Sequence, residues 1–360
     1  MEDEYEIYRL IFSDILGPIV ALLGILGNVF CLLAIWHRNR NCTKAQPGMK
    51  GYMYTLLCGL ALADLGYLAF TFTFYIYFSS TMELQCDHMY YRDRIIIPIC
   101  NSFKASSDFI VICMTVNRCQ VMGNITGMRI QALRKDAITS NENTSWNTYF
   151  QITTALIIGF VLHLPFYFFD SLDSVLCNNG LNETTPNPEI HFVEEMWWMY
   201  YFVYATLVKV VPVVLIITLN IVLVKRLKVM ASRKRTVQDE KSMNQDVHQN
   251  RRAWSVHNKT SIKEQKLASL LVIIAVSYFI FTLPANVTFV LVNLPINVKS
   301  IQDIYYPLTF VTNFFESLNY AANFYIYCAV HSEIRESFLE LCKAFGSFLT
   351  CADKKYGLRF

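Results

Sequence analysis

Charged residues are scarce in this sequence, and the few present do not form a basic surface. Only 16% of the 360 residues are charged, 54% are hydrophobic, and the formal net charge is +3. A soluble domain of this size rarely has such a composition, and so small a net charge offers no evident surface for nucleic acid. The composition therefore favours a membrane protein with several spans and excludes a typical nucleic-acid-binding protein.

Metal-binding and catalytic motifs are also lacking. The 11 cysteines include no CxxC pair, and the 7 histidines form no cluster at metal-ligand spacing, so no structural zinc site is expected. No Ser-His-Asp motif, HExxH motif or Gly-rich phosphate loop is present. His163 stands alone in an apolar segment, where we expect a packing or hydrogen-bonding role. The sequence thus predicts no enzyme.

Long apolar segments are abundant. A helix needs about 20 apolar residues to cross a bilayer, and the third of seven such segments is the weakest, because Lys104 and Asp108 interrupt it. We predict an all-α membrane protein, a seven-transmembrane helix bundle followed by a short amphipathic helix. The seven windows lie at approximately 10–36, 52–79, 95–121, 148–169, 197–224, 267–294 and 303–329.

The polar segments between and after these windows indicate how the chain is organised. Residues 1–9 are predicted to be an extracellular N-terminus, and 10–329 the bundle, which includes a mobile third intracellular loop at 229–262. In the cytoplasmic tail, 330–360, apolar residues recur at helical spacing, which predicts a helix lying on membrane lipids. Cys342 and Cys351 beside it could carry palmitate or remain free thiols.

The distribution of lysine and arginine predicts the orientation. The loops after the first, third and fifth windows are rich in both residues, whereas 170–208 contains neither and carries six acidic residues. Because positively charged loops stay in the cytosol, we expect the N-terminus outside, the C-terminus inside and a plasma-membrane location. The acidic exterior could steer a cationic ligand, or could simply be the complement of this sorting.

Polar residues within the windows are candidates for internal machinery, because such groups are costly in lipid and face the bundle interior. Asp64, Ser107, Asn319 and Asn323 form one such set. A carboxylate surrounded by amides and a hydroxyl suits a sodium ion, since hard cations prefer oxygen ligands. The alternative is a hydrogen-bonded cluster that only holds helices together.

Four charged residues form a second set, in the third, fifth and seventh windows. Lys104 and Asp108 are four residues apart and could pair on one helix, whereas Glu316 could meet Lys209 or share Lys104. Pairing would lower the cost of burying these charges. We keep two interpretations, a structural network or a ligand-pocket floor at which Glu316 meets a peptide arginine.

Six motifs in order resemble those of the rhodopsin-like family of G-protein-coupled receptors. They are Asn28 in GN, Asp64 in LALAD, the isolated Arg118, Pro212, Pro284, and the NxxxY sequence from Asn323 to Tyr327. Within the family, the stretches PICNSFKASSDFIVICMTVNR and LNYAANFYIYC look most like the FMRFamide-receptor branch of invertebrate neuropeptide receptors. The resemblance implies an extracellular peptide ligand and a heterotrimeric G-protein partner.

The resemblance also assigns roles to individual residues. The expected activation and coupling residues are Arg118, Asn117, Tyr327, Asn323, Pro212, Pro284 and Phe281. The candidate ligand contacts are Glu316, Lys104, Cys100, Glu195 and Thr282. No cofactor is expected other than an allosteric sodium ion at Asp64, Ser107, Asn319 and Asn323.

The sequence departs from the family at two of these positions. Asn117 replaces the acidic residue that restrains the arginine, so we predict raised basal activity or another partner for Arg118. Thr282 replaces the usual tryptophan, so an aromatic switch would fall to Phe281 or Phe279 or be absent.

The extracellular loops carry the covalent modifications that the resemblance implies. Cys86 and Cys177 are the favoured disulfide pair, although Cys86 lies earlier than usual, and Cys100 is the alternative to it. Asn182 begins the one well-placed glycosylation sequon.

The preferred function is therefore a G-protein-coupled receptor for an amidated FMRFamide-like neuropeptide. A retinal receptor would need a lysine in the seventh window, and an amine receptor an aspartate near Cys100, and neither is present. The alternatives are a receptor for a non-peptide ligand and a membrane transporter, which would show substrate flux.

Overall fold

The computed structural model describes residues 6–41, 51–78, 91–131, 141–168, 199–200, 202–243, 251–292 and 299–356. The fold class predicted from the sequence is confirmed, because these residues are almost entirely helical, contain no strand and form a seven-helix bundle with an additional helix after it.

The helices follow the predicted windows in number and order. The helices are α1 (Arg9–Leu16 and Gly17–Asn41), α2 (Gly51–Phe78), α3 (Arg92–Ile96 and Ile97–Gln131), α4 (Asn141–Leu162), α5 (Ala205–Val210 and Val211–Met243), α6 (Arg251–Val292), α7 (Lys299–Val330) and α8 (Ser332–Tyr356). In α1, α3 and α5 the first range is a π-helical segment that runs into the α-helix, and a short helix, Leu164–Phe168, follows α4.

The helices pack as a closed ring. α1 packs on α2 and α7, α2 packs on α3, and α3 packs on α4 and α5, while α6 connects α5 with α7. α8 turns back against α1. Because α3 contacts helices on both sides of the ring, it brings its polar residues to the centre of the bundle.

Among the described residues, five helical segments are long and apolar enough to cross a membrane, and the described part of α4, Asn147–Leu162, is apolar but shorter. The prediction that the third window is the weakest was wrong, because Arg92–Val121 is among the five. The described part of α7 is not among the five. In α7 the polar residues Thr312, Glu316, Ser317, Asn319 and Asn323 lower the hydropathy but are all buried.

The bundle has apolar side chains outside and polar side chains within, because polar groups are costly in contact with lipid. On α1 the outward residues Ile19, Leu22 and Leu26 are about half exposed. By contrast Asp64, Asn323 and Glu316 are only 0%, 3% and 6% exposed. The inward direction of the intramembrane polar groups, on which their functional interpretation depends, is therefore observed.

α8 is fixed to the end of the bundle by polar and aromatic contacts. Glu333 forms an ion pair with Arg38 and accepts a hydrogen bond of 2.9 Å from the Tyr54 hydroxyl. The Phe338 ring lies 5.5 Å from Phe30 and 5.3 Å from Phe324. Cys342 on this helix is exposed.

The polar region predicted at 229–262 is largely helical backbone where the structure describes it. α5 continues to Met243 and α6 begins at Arg251. Its mobility stays a prediction.

Candidate functional site

A cavity of about 460 Å³ opens between the helices, in the half of the bundle that holds the beginning of α1. Its volume is within the usual range for small-ligand sites. Aromatic residues and hydroxyl or amide groups line it, together with Lys104, Lys209 and Glu316. Because α1, α2, α3, α5, α6 and α7 all contribute, a bound molecule would contact most of the bundle at once.

At the base of the cavity Lys104 on α3 forms an ion pair with Glu316 on α7. Both residues are nearly buried, at 5% and 6% exposure. A single buried charge would be costly in this environment, and each member of the pair offsets the desolvation of the other. Of the partners considered for Glu316, Lys104 is the one it meets.

Lys209 on α5 lies beside this pair and is 5% exposed. Its ammonium group is 5.1 Å from the centre of the Phe289 ring and interacts electrostatically with Lys104, Glu316 and Asp108. The four charged residues that the sequence singled out thus form one cluster. Lys104, Lys209 and Glu316 reach the cavity surface, whereas Asp108 lies below it.

Lys104 and Asp108, which could have paired along α3, interact electrostatically, but the ion pair that Lys104 forms among the described residues is with Glu316. The Asp108 carboxylate instead accepts hydrogen bonds from the Tyr278 hydroxyl on α6, at 3.2 Å, and the Tyr320 hydroxyl on α7, at 3.3 Å. The physical reason is that Lys104 reaches across the bundle to Glu316, while two buried tyrosines supply donors for Asp108. Asp108 therefore connects α3, α6 and α7.

A second polar cluster surrounds Asp64 on α2. Its carboxylate accepts hydrogen bonds from the Ser107 hydroxyl at 2.5 Å and from the Asn323 amide at 2.6 Å. Asn28 on α1 donates to the backbone carbonyls of Gly24 and Tyr320. The structure thus brings together Asp64, Ser107 and Asn323, three of the four residues expected to form a sodium site, and buries the fourth, Asn319.

The donor set of this cluster fits a hard cation. The side-chain oxygens of Asn28, Asn319 and Asn323 are buried, and none has a hydrogen-bond partner among the described residues. Together with the Asp64 carboxylate and the Ser107 hydroxyl they are oxygen ligands of the kind that sodium prefers. No group of three or more His, Cys, Asp or Glu residues that could hold a metal occurs in the described part of the chain.

At the opposite end of α3, Arg118 is 1% exposed. The neighbouring Asn117 donates a hydrogen bond of 2.9 Å to Gln151 on α4. The backbone oxygen of Cys119 accepts a hydrogen bond from Arg226 on α5. Tyr327 of α7 is fully buried, and no described residue hydrogen-bonds to its hydroxyl.

The residues proposed as hinges and switches lie along α5 and α6. Pro212 follows the π-helical segment Ala205–Val210, and Pro284 lies within α6, where it removes a backbone hydrogen bond. Phe281 stacks on Phe315 of α7 at 6.3 Å, and Thr282 is fully buried. Phe279 faces outward and is 45% exposed.

Cys100, which was predicted as a ligand contact and as an alternative disulfide residue, lines the cavity. Its thiol is unoxidised and lies 3.1 Å from the Thr71 hydroxyl. The pairing of Cys86 with Cys177, the glycosylation of Asn182 and the ligand contact by Glu195 all lie outside the described residues. So does the side chain of Cys351.

His163 has the hydrogen-bonding role that the sequence predicted. One ring nitrogen lies 2.6 Å from the Gly159 carbonyl oxygen and the other 3.0 Å from the Tyr204 hydroxyl. The histidine therefore ties α4 to α5.

Sequence reasoning missed the tyrosines whose hydroxyl groups contact Asp108 and Ser317. Tyr278 and Tyr320 bind Asp108, and Tyr67 and Tyr75 lie 3.4 and 3.5 Å from the Ser317 hydroxyl. A signal was available, because a buried tyrosine hydroxyl usually finds a partner and Asp108 is the one carboxylate within the third predicted window, 95–121.

The fold and the two buried clusters define a class of protein, a multi-pass membrane protein whose seven helices enclose polar machinery. The family profile described as "7 transmembrane receptor (rhodopsin family)" matches residues 27–327. The chain therefore belongs to the rhodopsin family of seven-transmembrane receptors, whose members signal through G proteins. A comparison with curated proteins found no match.

Proposed function

We propose that the chain is a plasma-membrane receptor that couples an extracellular neuropeptide to a heterotrimeric G protein, with its N-terminus outside and its C-terminus in the cytosol. The observation that carries this proposal is the polar cavity with the Lys104–Glu316 pair at its base. Fourteen residues separate Lys104 from Arg118 on α3, about 21 Å of helix, so ligand and G protein would act at opposite ends of the bundle.

The ligand proposed is an amidated FMRFamide-like peptide with an arginine near its end. The resemblance to the FMRFamide-receptor branch and the acidity of residues 170–208 support a cationic ligand. A peptide guanidinium can form a bidentate contact with Glu316, which Lys104 cannot match as a point charge. Binding would then release Lys104 and loosen the connection between α3 and α7.

Transduction would follow from this change. A ligand that binds one arrangement of the helices better than another shifts the population towards it. Pro212 and Pro284 would supply the hinges, Phe281 the aromatic contact that rearranges, and Arg118, with Asn117 beside it, the surface on which the G protein docks. Asn323 and Tyr327 would transmit the change along α7.

A sodium ion bound at Asp64, Ser107, Asn319 and Asn323 is proposed to favour the resting arrangement. The side-chain oxygens of Asn319 and Asn323, which have no hydrogen-bond partner among the described residues, support this proposal. A cation there would hold α2, α3 and α7 together, as the hydrogen bonds to Asp64 do in its absence.

A non-peptide ligand is the second candidate function, since a cavity of about 460 Å³ would also enclose a small molecule. A transporter is the third, and substrate flux would identify it.

The test is a screen of the full chain, expressed with promiscuous G proteins, against amidated neuropeptides. We expect G-protein activation by an Arg-Phe-amide peptide and its loss in Arg118→Ala. Activation by small molecules alone would contradict the peptide proposal.

The contact with Glu316 has its own reciprocal test. Replacing the peptide arginine by citrulline should lower potency about 10-fold or more at the native receptor, because a charge-assisted contact is lost. The same replacement should have little effect at Glu316→Gln. Equal losses at both receptors would contradict the contact.

A further inference from the structure

A second concave surface lies between α5 and α6 and opens towards the lipid. It has a volume of about 600 Å³. The α5 residues Val213, Ile217, Ile221 and Val224 follow one another at helical spacing along its wall, and Val276 and Phe279 of α6 face them. Ile221 and Val276 are more than half exposed, so the groove belongs to the outer surface and is separate from the polar cavity.

The apolar wall contains one buried polar side chain without a full set of partners. Asn220 is 9% exposed, and its amide nitrogen donates to the Ile216 carbonyl at 2.8 Å. Its side-chain oxygen has no hydrogen-bond partner among the described residues. This oxygen is therefore a polar point within the apolar wall.

Two lysines, Lys225 and Lys228, line one end of the groove, and both are exposed. None of the residues lining the groove is acidic, and no described carboxylate forms an ion pair with either lysine. The groove is therefore apolar along its length and cationic at its end.

The dimensions match one leaflet of a bilayer. Twelve residues separate Val213 from Lys225, which is a rise of about 18 Å in an α-helix. The hydrocarbon core of a bilayer is about 30 Å thick, so one leaflet contributes about 15 Å. With Val213 near the midplane, the two lysines lie at the level of the phosphate groups.

We infer that this groove binds an anionic phospholipid of the cytosolic leaflet. The acyl chain lies along Ile217, Ile221 and Val276, and the anionic headgroup meets Lys225 and Lys228. Phosphatidylserine is a lipid of this kind. The location in the cytosolic leaflet rests on the orientation given under the proposed function.

The experiment uses the full-length protein in nanodiscs of phosphatidylcholine that contain phosphatidylserine with a photoactivatable acyl chain. Mass spectrometry then maps the labelled residues. We expect labelling concentrated on α5 and α6 at the groove, and a lower yield there with a phosphatidylcholine probe of the same chain. Equal labelling by the two probes, or even labelling around the bundle, would overturn the inference.

Two matched pairs of variants distinguish the contribution of the lipid headgroup from that of the acyl chain. Lys225→Gln with Lys228→Gln should reduce groove labelling about 5-fold for each lysine removed, whereas Arg335→Gln with Lys343→Gln, which removes the same charge from α8, should not. Val276→Trp fills the groove and should abolish labelling. Ile280→Trp, at a similarly exposed position outside the groove, should not.

The outcome is independent of ligand and G protein, so its failure is distinguishable from failure of the receptor proposal. If the double lysine variant does not fold, the comparison of the two probes on the native chain and the tryptophan pair still decide. Unchanged labelling in Val276→Trp would overturn the inference.

Discussion

Lys104 on α3 and Glu316 on α7 form an ion pair inside the bundle, with side chains only 6% and 8% exposed. α3 packs mainly on α2, α4 and α5, and α7 mainly on α1 and α6. The pair therefore bridges two helices across the ring, next to the hydrogen bond from Tyr320 to Asp108. Under the proposed function, a ligand in the cavity would meet this connection directly, and its binding would be coupled to the arrangement of the two helices.

Removing one member of the pair should destabilise the receptor more than removing both. Lys104→Met or Glu316→Gln alone leaves a buried charge without its partner, which costs about 3–5 kcal/mol. The double variant should recover much of this loss. Thermal unfolding of the purified receptors without ligand measures the effect, and additive losses in the double variant would show that the two side chains do not depend on each other.

The two tyrosines that bind Asp108 should contribute measurably to stability. Tyr278→Phe and Tyr320→Phe each remove a hydrogen bond to a buried carboxylate, worth about 1.5–3 kcal/mol. Tyr325→Phe is the control, because that hydroxyl is on an exposed residue and its one hydrogen bond among the described residues is to the Leu23 carbonyl, at 3.3 Å. Equal melting temperatures for all three variants would exclude a structural role for the Asp108 contacts.

The Asp64 cluster should make stability depend on sodium. At ten times its dissociation constant, a bound ion adds about 1.4 kcal/mol to the free energy of unfolding. We expect the melting temperature of the ligand-free receptor to rise with sodium chloride but not with choline chloride at the same ionic strength.

Asp64→Asn and Ser107→Ala should weaken that response. Ser106→Ala is the matched control, since the Ser106 hydroxyl donates to the Ser102 carbonyl and not to Asp64. A sodium response retained in full by Asp64→Asn would place the ion elsewhere.

Asn117→Asp should lower basal activity. A carboxylate beside Arg118 would add a charge-assisted restraint worth about 1.5–3 kcal/mol, so ligand-free nucleotide exchange on the G protein should fall about 10-fold or more. Gln151→Ala controls for the lost contact between Asn117 and Gln151, which is 2.9 Å long in the native chain. Basal exchange equal to that of the native receptor would refute the prediction.

The seven-helix fold could be predicted because bilayer thickness sets a length that apolar segments must reach. The relative strength of the windows was misjudged, although hydropathy is itself a property of the sequence. Lys104 and Asp108 made the third window look weak, yet α7 has the lower hydropathy because its inward face is polar along much of its length. Attention to charged residues alone overlooked the amides and hydroxyls of α7. An average over a window also does not record which face of a helix carries its polar residues.

The composition of the polar clusters could be predicted, but only part of their connectivity. Asp64, Ser107 and Asn323 were expected together and are together, because their depths along three helices coincide. Spacing along α3 offered Lys104 as a partner for Asp108. Its actual partners, Tyr278 and Tyr320, come from helices whose rotation about their axes is set by packing across the bundle, which spacing along one helix does not encode.

The central claim is that a ligand bound in the polar cavity drives G-protein activation. Its most direct test compares two adjacent residues of α6, since Thr288 lines the cavity and is 6% exposed, whereas Val287 faces outward and is 46% exposed. The account predicts that Thr288→Trp abolishes peptide-stimulated nucleotide exchange at unchanged surface expression, while Val287→Trp responds like the native receptor. Full peptide stimulation of Thr288→Trp would contradict it.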